Sequence, residues 1–445
     1  MLIVVLLLLS ILFIVVSTTR FNLHAFLALI TAALFFGICS GMPLGEVVSS
    51  IEQGFGGTIG KIGIVIIAGA IIGVFLDKSG GALALAERIL KVIGPKNVTP
   101  AMALIGYIVS IPVFADSGFV ILTPLNKTLT KRAGLSLATT AIALALGLMV
   151  AHTLIPPTPG PIAAAGILKA DLGWVLLIGI PVSIPTLFFC WFWAVKVAGR
   201  VQIDPNPELT DEEFTAQQNK APSAFHALLP ILIPIMLIVL KSIADYPTRP
   251  LGENDFCQGI SFVGTPVIAL LIGMGIAMTL PRPFDKNTLP SSRWIGEAMQ
   301  AAAMIILITG AGGAFGKVLQ NSGIADMIGK SVSSMTIGLW LPFMAAAAIR
   351  AAQGSSTVAI ITTASILAPM LASMGLDSSL GRALSVLAIG AGSMVASHAN
   401  DSFFWVVTQM SGMDVKTGYK LMTTGTICMG SLACAIIWII GLIVL

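Results

Sequence analysis

Residues 111–124 read Ile-Pro-Val-Phe-Ala-Asp-Ser-Gly-Phe-Val-Ile-Leu-Thr-Pro. A carboxylate at Asp116, a hydroxyl at Ser117 and a helix-breaking Gly118 stand inside an otherwise apolar run. The surroundings make that placement costly. Of 445 residues, 56% are hydrophobic and 10% charged, against roughly 25% charged in a soluble domain, and mean hydropathy is +0.97. Composition therefore predicts an all-α integral membrane protein, with the lipid bilayer as its first partner. Apolar windows recur from Leu2–Val16 to Thr423–Leu445. A helix needs about 20 residues to cross about 30 Å of hydrocarbon, so about 11–14 transmembrane or re-entrant helices are expected, the shorter windows as half-helices. No basic segment precedes Leu2–Val16 and no small-residue cleavage site follows before Arg20 and Phe21, so this window is expected to be a span.

Several function classes fall away. The net charge of +4 sits mostly in connecting loops, without a basic stripe interleaved with aromatics, so no nucleic-acid partner is expected. Cys39, Cys190, Cys257, Cys428 and Cys434 have no metal-ligand spacing, and neither metal nor cofactor is expected. There is no GxxxxGK[ST] loop for an ATP-driven pump, and no GxSxG or HExxH motif for a membrane-embedded hydrolase, so the chain is not read as an enzyme.

The polar run Gly199–Ser223 splits the chain near its midpoint, giving a first repeat at 1–198, a linker at 199–223 and a second repeat at 224–445. Ala68–Ala82 (AGAIIGVFLDKSGGA) can be laid on Ala311–Ala325 (AGGAFGKVLQNSGIA). Further on, FADSGFVILTPL precedes LGLMVAHTLIPPTPGP just as AAQGSSTVAIITT precedes IGAGSMVASHANDSFFW. Corresponding loops carry unlike charge. Asp77–Asn97 holds Lys78, Arg88, Lys91 and Lys96, whereas its counterpart Val318–Met335 holds Lys330 alone. By the positive-inside rule the halves are inverted, with the linker cytoplasmic. Inverted repeats with interrupted helices are a signature of secondary transporters, whose sites lie where the breaks meet.

Four polar breaks then stand out. Asp116, Ser117 and Gly118 pair with Gln353, Ser355, Ser356 and Thr357; helices beginning after both would present free N–H groups and a positive dipole end to an anion. His152, Thr153 and Thr158, in a segment that Pro156, Pro157, Pro159 and Pro161 unwind, pair with His398, Asn400, Asp401 and Ser402. A lone Asp or His at a helix end is as readily a cap as a ligand, but four breaks in two matched sets point to one substrate path. Asp116, His152, His398 and Asp401 are candidates to carry a coupling proton. Arg350 either clamps a substrate carboxylate or sits in a structural ion pair.

With these residues quoted, the chain resembles the gluconate permease family of bacterial carboxylate:proton symporters. GGTIG, LDKSGGA, GFVILTPL, PPTPGP, GAGGAFGKVL, SGIAD, GSSTVA and SHANDSFFW look like that family's landmarks, in its order and over nearly the whole chain. The resemblance implies a multi-pass inner-membrane carrier with a scaffold domain and a mobile, elevator-like transport domain. It also implies proton-coupled uptake of gluconate or a related small hydroxy-monocarboxylate such as D-glycerate or threonate. The alternatives are an amino- or hydroxy-acid carrier, such as one for D-serine, and sodium coupling. By analogy with elevator-type relatives a homodimer is expected. Two departures bear on substrate: Ala115-Asp116-Ser117 replaces the Glu often seen in gluconate carriers, and Thr158 replaces the histidine of PPHPGP.

Overall fold

The computed structural model describes residues 2–21, 23–94, 97–205, 221–245, 255–281, 293–323, 338–399 and 401–445. Among them every regular element is helical. The first half holds α1 (Leu2–Arg20), α2 (Ala25–Cys39), α3 (Leu44–Lys78), α4 (Gly81–Ile93), α5 (Val98–Ser110), α6 (Ala115–Arg132), α7 (Leu137–Leu154), α8 (Pro159–Leu168) and α9 (Leu172–Lys196). The second half holds α10 (Ala224–Ala244), α11 (Asp255–Val263), α12 (Pro266–Ala277), α13 (Trp294–Asn321), α14 (Trp340–Gln353), α15 (Ser356–Leu367), α16 (Ser379–Met394), α17 (Ser402–Met410), α18 (Val415–Gly418) and α19 (Thr424–Val444). Among the described residues, six helical segments are long and apolar enough to cross a membrane, or seven if α11 and α12, bent by 65°, form one span. Shorter apolar helices, α2, α5 and α16 among them, fill the remaining apolar windows.

One predicted loop is largely helix. Residues 81–93 form α4, whose Ala82, Leu85 and Ala86 are buried on one face while Arg88 and Lys91 lie along the others. That stripe is too short and too charged to show in a search for apolar windows.

The two halves pack by the same rules. α3 lies along α13; α2 packs on α13 and α12 on α3; α5 packs on α7 and α14 on α16; α7 packs on α9 and α16 on α19. Exchanging each helix for its counterpart in the other half leaves these pairings intact. α3 and α13 run antiparallel, joined near one end by Lys78 and Glu297 at 3.1 Å and near the other by Asn321 donating to Ser50 at 2.8 Å. α7 sits at the centre, with all of its residues from Leu137 to Leu154 buried. Its approach to α5 is close because both helices offer glycine: a Cβ on Gly147 would lie 2.1 Å from the Ala103 carbonyl, and one on Gly106 2.5 Å from that of Leu144. Small residues let membrane helices meet backbone to backbone where apolar burial supplies no driving force.

Two faces can be told apart. On one, Ser136 Oγ donates to the Val201 carbonyl at 2.6 Å, Gly412 lies against Ile203, and Gly80 lies against Ala221, so the ends of α6, α17 and α3 gather at the linker. On the other, at the far end of α9, Ser242 donates to Asp171 at 2.6 Å.

Candidate functional site

The four breaks fold as helix starts. α6 begins at Ala115, α8 at Pro159, α15 at Ser356 and α17 at Ser402. Each leaves its first N–H groups without intrahelical acceptors. In α15 the cap is Ser355, whose Oγ accepts from Val358 N at 3.3 Å; in α17 it is Asp401, whose Oδ1 accepts from Phe403 N at 3.0 Å. Gly354 supplies the reversal between α14 and α15 at φ +83°, a conformation that a Cβ disfavours. α6 packs on α17, and α8 on α15.

Unwound backbone at membrane depth must be satisfied by protein. After α16, Thr423 Oγ1 donates to the Ser397 carbonyl at 2.5 Å and Thr426 Oγ1 accepts from Ser397 N at 3.2 Å. The two breaks of the first half are seated on α3, where glycine gives room: Gly73 would place a Cβ 2.3 Å from the Pro112 carbonyl, and Gly69 one 3.1 Å from that of Pro157.

Between these starts lies a cavity of about 100 Å³, bordered by Phe114, Ala115, Asp116, Met149, His152, Arg350, Ser355, Ser356, Thr357, Asp401, Ser402 and Phe403. The starts of α6, α15 and α17 thus share one space, each contributing about half a positive charge. Arg350 is 1% exposed. Its Nη2 donates to Asp401 Oδ2, which also accepts from Ser397 Oγ. Its Nε and Nη1 are buried without a partner among the described residues, as is His152 Nδ1. Buried donors left in that state cost about 1–3 kcal/mol each, more when charged. A carboxylate ligand admitted by a small shift of the wall would satisfy two of them at once. Asp116 is half-buried and accepts from Ser402 Oγ at 3.3 Å.

Sequence and structure differ in detail. Asp116, His152, Ser355, Ser356, Thr357, Arg350, Asp401 and Ser402 meet at the cavity. Thr158 borders a crevice of about 10 Å³ that shares Phe114 and His152 with it, and donates to the Ile155 carbonyl at 2.7 Å. Ser117, Gly118, Thr153 and Gln353 lie outside the lining: Thr153 bonds back to Met149 at 2.9 Å, and Gly118 makes room for Leu148. Gln353 keeps a buried Nε2 without a partner among the described residues. His398 is turned away, its Nε2 donating to the Ala351 carbonyl at 2.8 Å, where it braces the end of α14. Asn400 lies outside the described residues. Sequence reasoning passed over Ser397, whose hydroxyl sits in the same polar run as Asp401, and over Phe114, Met149 and Phe403, which carry no signal distinguishable from packing. Among the described residues no cluster of His, Cys, Asp or Glu fits a metal.

Comparison with known proteins follows the same direction. Residues 1–443 match the family model described as GntP family permease. A gluconate permease of Pseudomonas aeruginosa is 36% identical over 422 residues, spanning 94% of this chain and 92% of its own. The high-affinity gluconate transporter of Escherichia coli is 34% identical over 427 residues, spanning 94% and 95%. An inner membrane permease of the same organism, YgbN, is 34% identical over 442 residues, spanning 95% of both. Among solved structures, the YdaH transporter of Alcanivorax borkumensis, described as having an unusual topology, superposes with a TM-score of 0.64 at 15% identity over 90% of this chain and 89% of its own. That likeness concerns the fold.

Proposed function

The chain belongs to the GntP permease family and is a multi-pass inner-membrane transporter, and on that premise we propose that it is a symporter moving gluconate, or a shorter hydroxy-monocarboxylate such as D-glycerate or threonate, inward with a proton. The observation that carries this reading is the convergence of three helix starts and the Arg350 guanidinium, with its two unpartnered donors, on one partly enclosed cavity. The substrate carboxylate binds at the Arg350 edge and the start of α15, and Ser355, Ser356, Thr357 and Ser402 bond its hydroxyls. Gluconate-carrying relatives support a sugar acid as the cargo.

Coupling follows from charge. Asp401 is already held by Arg350, Ser397 and the Phe403 N–H. Asp116 has the Ser402 hydroxyl. An incoming carboxylate beside Asp116 would set two like charges together in a water-poor site, and a proton shared at Asp116 removes that repulsion. Anion and proton therefore load together. His398 holds a helix end and has no part in the transfer. The linker face carries Lys131, Arg132, Lys196 and Arg200 and is cytoplasmic. The movement is elevator-like, with the half-helices α6, α8, α15 and α17 shifting against α3 and α13.

Purified protein in liposomes tests this. With an inward proton gradient and sodium-free buffer, labelled gluconate, D-glycerate or threonate should accumulate, and a protonophore should abolish accumulation. Accumulation driven by a sodium gradient alone would reassign the coupling ion. Accumulation of D-serine with none of the hydroxy acids would reassign the cargo.

A further inference from the structure

On the face away from the linker, a larger recess of about 420 Å³ opens between the glycine-rich part of α3 and the C-terminal ends of α8 and α15. Lys61, Lys169, Lys317 and Arg382 line it against one carboxylate, Asp377. None of the four cations forms an ion pair with a carboxylate among the described residues. Lys317 donates to Gln320 Oε1 at 3.3 Å, and Arg382 donates to the carbonyls of Asp377 at 2.8 Å and Leu168 at 3.4 Å. The ends of α8 and α15 bring about half a negative charge each, so about two positive charges remain uncompensated. These cations also run against the loop-charge bias that gathers Lys and Arg on the linker face. Thr58 and Gln53 add hydroxyl and amide groups to the wall.

The recess is joined to the central pocket by structure. α15 starts at the pocket, α8 starts at the crevice beside it, and both end at the recess; α8 spans 10 residues, about 15 Å of rise. At the recess α8 and α3 meet in a tight seam, for a Cβ on Gly166 would lie 2.4 Å from Ile62 Cγ2. We infer that this recess is an anion-collecting vestibule, a second and weaker site that gathers the hydroxy-carboxylate at the outer face before the seam moves. The inference rests on the carrier reading for its cargo and on the recess alone for its charge.

The test uses two readouts. Pyridoxal 5′-phosphate, an anionic aldehyde that condenses with free lysine amines, is applied with borohydride to right-side-out vesicles carrying the full chain. Labelled peptides are identified by mass spectrometry, with uncharged pyridoxal as comparison. Corrected for each aldehyde's rate with free lysine, Lys61, Lys169 and Lys317 should label about tenfold faster with the phosphate-bearing reagent, an advantage that high salt removes and gluconate suppresses. In the second readout, Lys61→Gln, Lys169→Gln and Lys317→Gln are combined, leaving Arg382 to hold the end of α8. The apparent KM for hydroxy acid at low ionic strength should rise about threefold or more and lose its salt dependence. Equal corrected labelling by both reagents, labelling indifferent to gluconate, or an unchanged KM in the triple variant overturns the vestibule. Should the unaltered protein accumulate nothing while the charge-selective, gluconate-suppressed labelling persists, the carrier reading fails and the anion site stands.

Discussion

Arg350 and Asp401 hold each other in an interior where neither charge could remain alone. Desolvating such a pair is costly, and removing one partner typically costs about 3–5 kcal/mol because the other stays buried and unpaired. Asp401→Asn is therefore expected to lower thermal stability in detergent by an amount in that range. Joining it to Arg350→Met should restore much of the loss without restoring uptake, because the carboxylate clamp is gone. Stability that recovers together with transport would show the pair to be structural only. At Asp116 the expectation separates two activities. Asp116→Asn should fold and keep exchange of labelled for unlabelled substrate, while losing accumulation driven by a proton gradient; retained accumulation would move the proton elsewhere. At this scale the sequence was legible where polarity is expensive: Asp116, the Ser355–Thr357 run and Asp401 could be picked out because apolar membrane surroundings tolerate such groups only with cause. It was not legible for His398, whose sequence position matches that of His152, because only the turn of the backbone decides which way a ring faces. Phe114 and Met149 carry no polarity to betray them.

Helix boundaries were clearest where apolar runs are long. α2, Ala25–Cys39, carries no charged residue along its length. α8, α15 and α17, with 10, 12 and 9 residues, are too short to show a period of their own. Their existence could be inferred from the breaks but not their extents. α6 hides for another reason: Asp116, Asn126, Lys127, Lys131 and Arg132 dilute its apolar character. Packing between elements turns on glycines whose purpose only the structure reveals. Gly147→Ala is expected to destabilise by about 1–3 kcal/mol, since the added methyl meets the Ala103 backbone rather than a movable side chain. Gly275→Ala, on the exposed side of α12 with nothing within 4 Å, should be neutral or stabilising by up to about 1 kcal/mol. Thermal unfolding of the two variants side by side checks the pair, and equal effects would contradict the packing described.

At the scale of the whole molecule, α3 and α13 form an antiparallel spine on which the half-helices α8 and α15 rest. The repeat was legible in the sequence as an order of landmarks, whereas the exchange of partners between halves, α2 on α13 and α12 on α3, was not, because sequence order says nothing of crossing. The elevator reading makes a direct prediction at the seam. An ideal Cβ on Gly166 lies 3.5 Å from that of Ile62, within the span of a disulfide. With the native cysteines replaced, Ile62→Cys combined with Gly166→Cys should crosslink on oxidation, stop uptake, and release it on reduction. Uptake that continues with the bond formed would mean that α8 does not slide on α3.

The head-to-head arrangement of the half-helices has one more consequence. α6 and α17 reach the pocket from the linker side, α8 and α15 from the opposite side. A chamber assembled from matched halves has no rectifier. No carrier's walls can by themselves favour net import over export, so on the symport reading direction is set by the proton and substrate gradients together. On that reading, a cell whose proton gradient collapsed would find the same protein draining its stored acid.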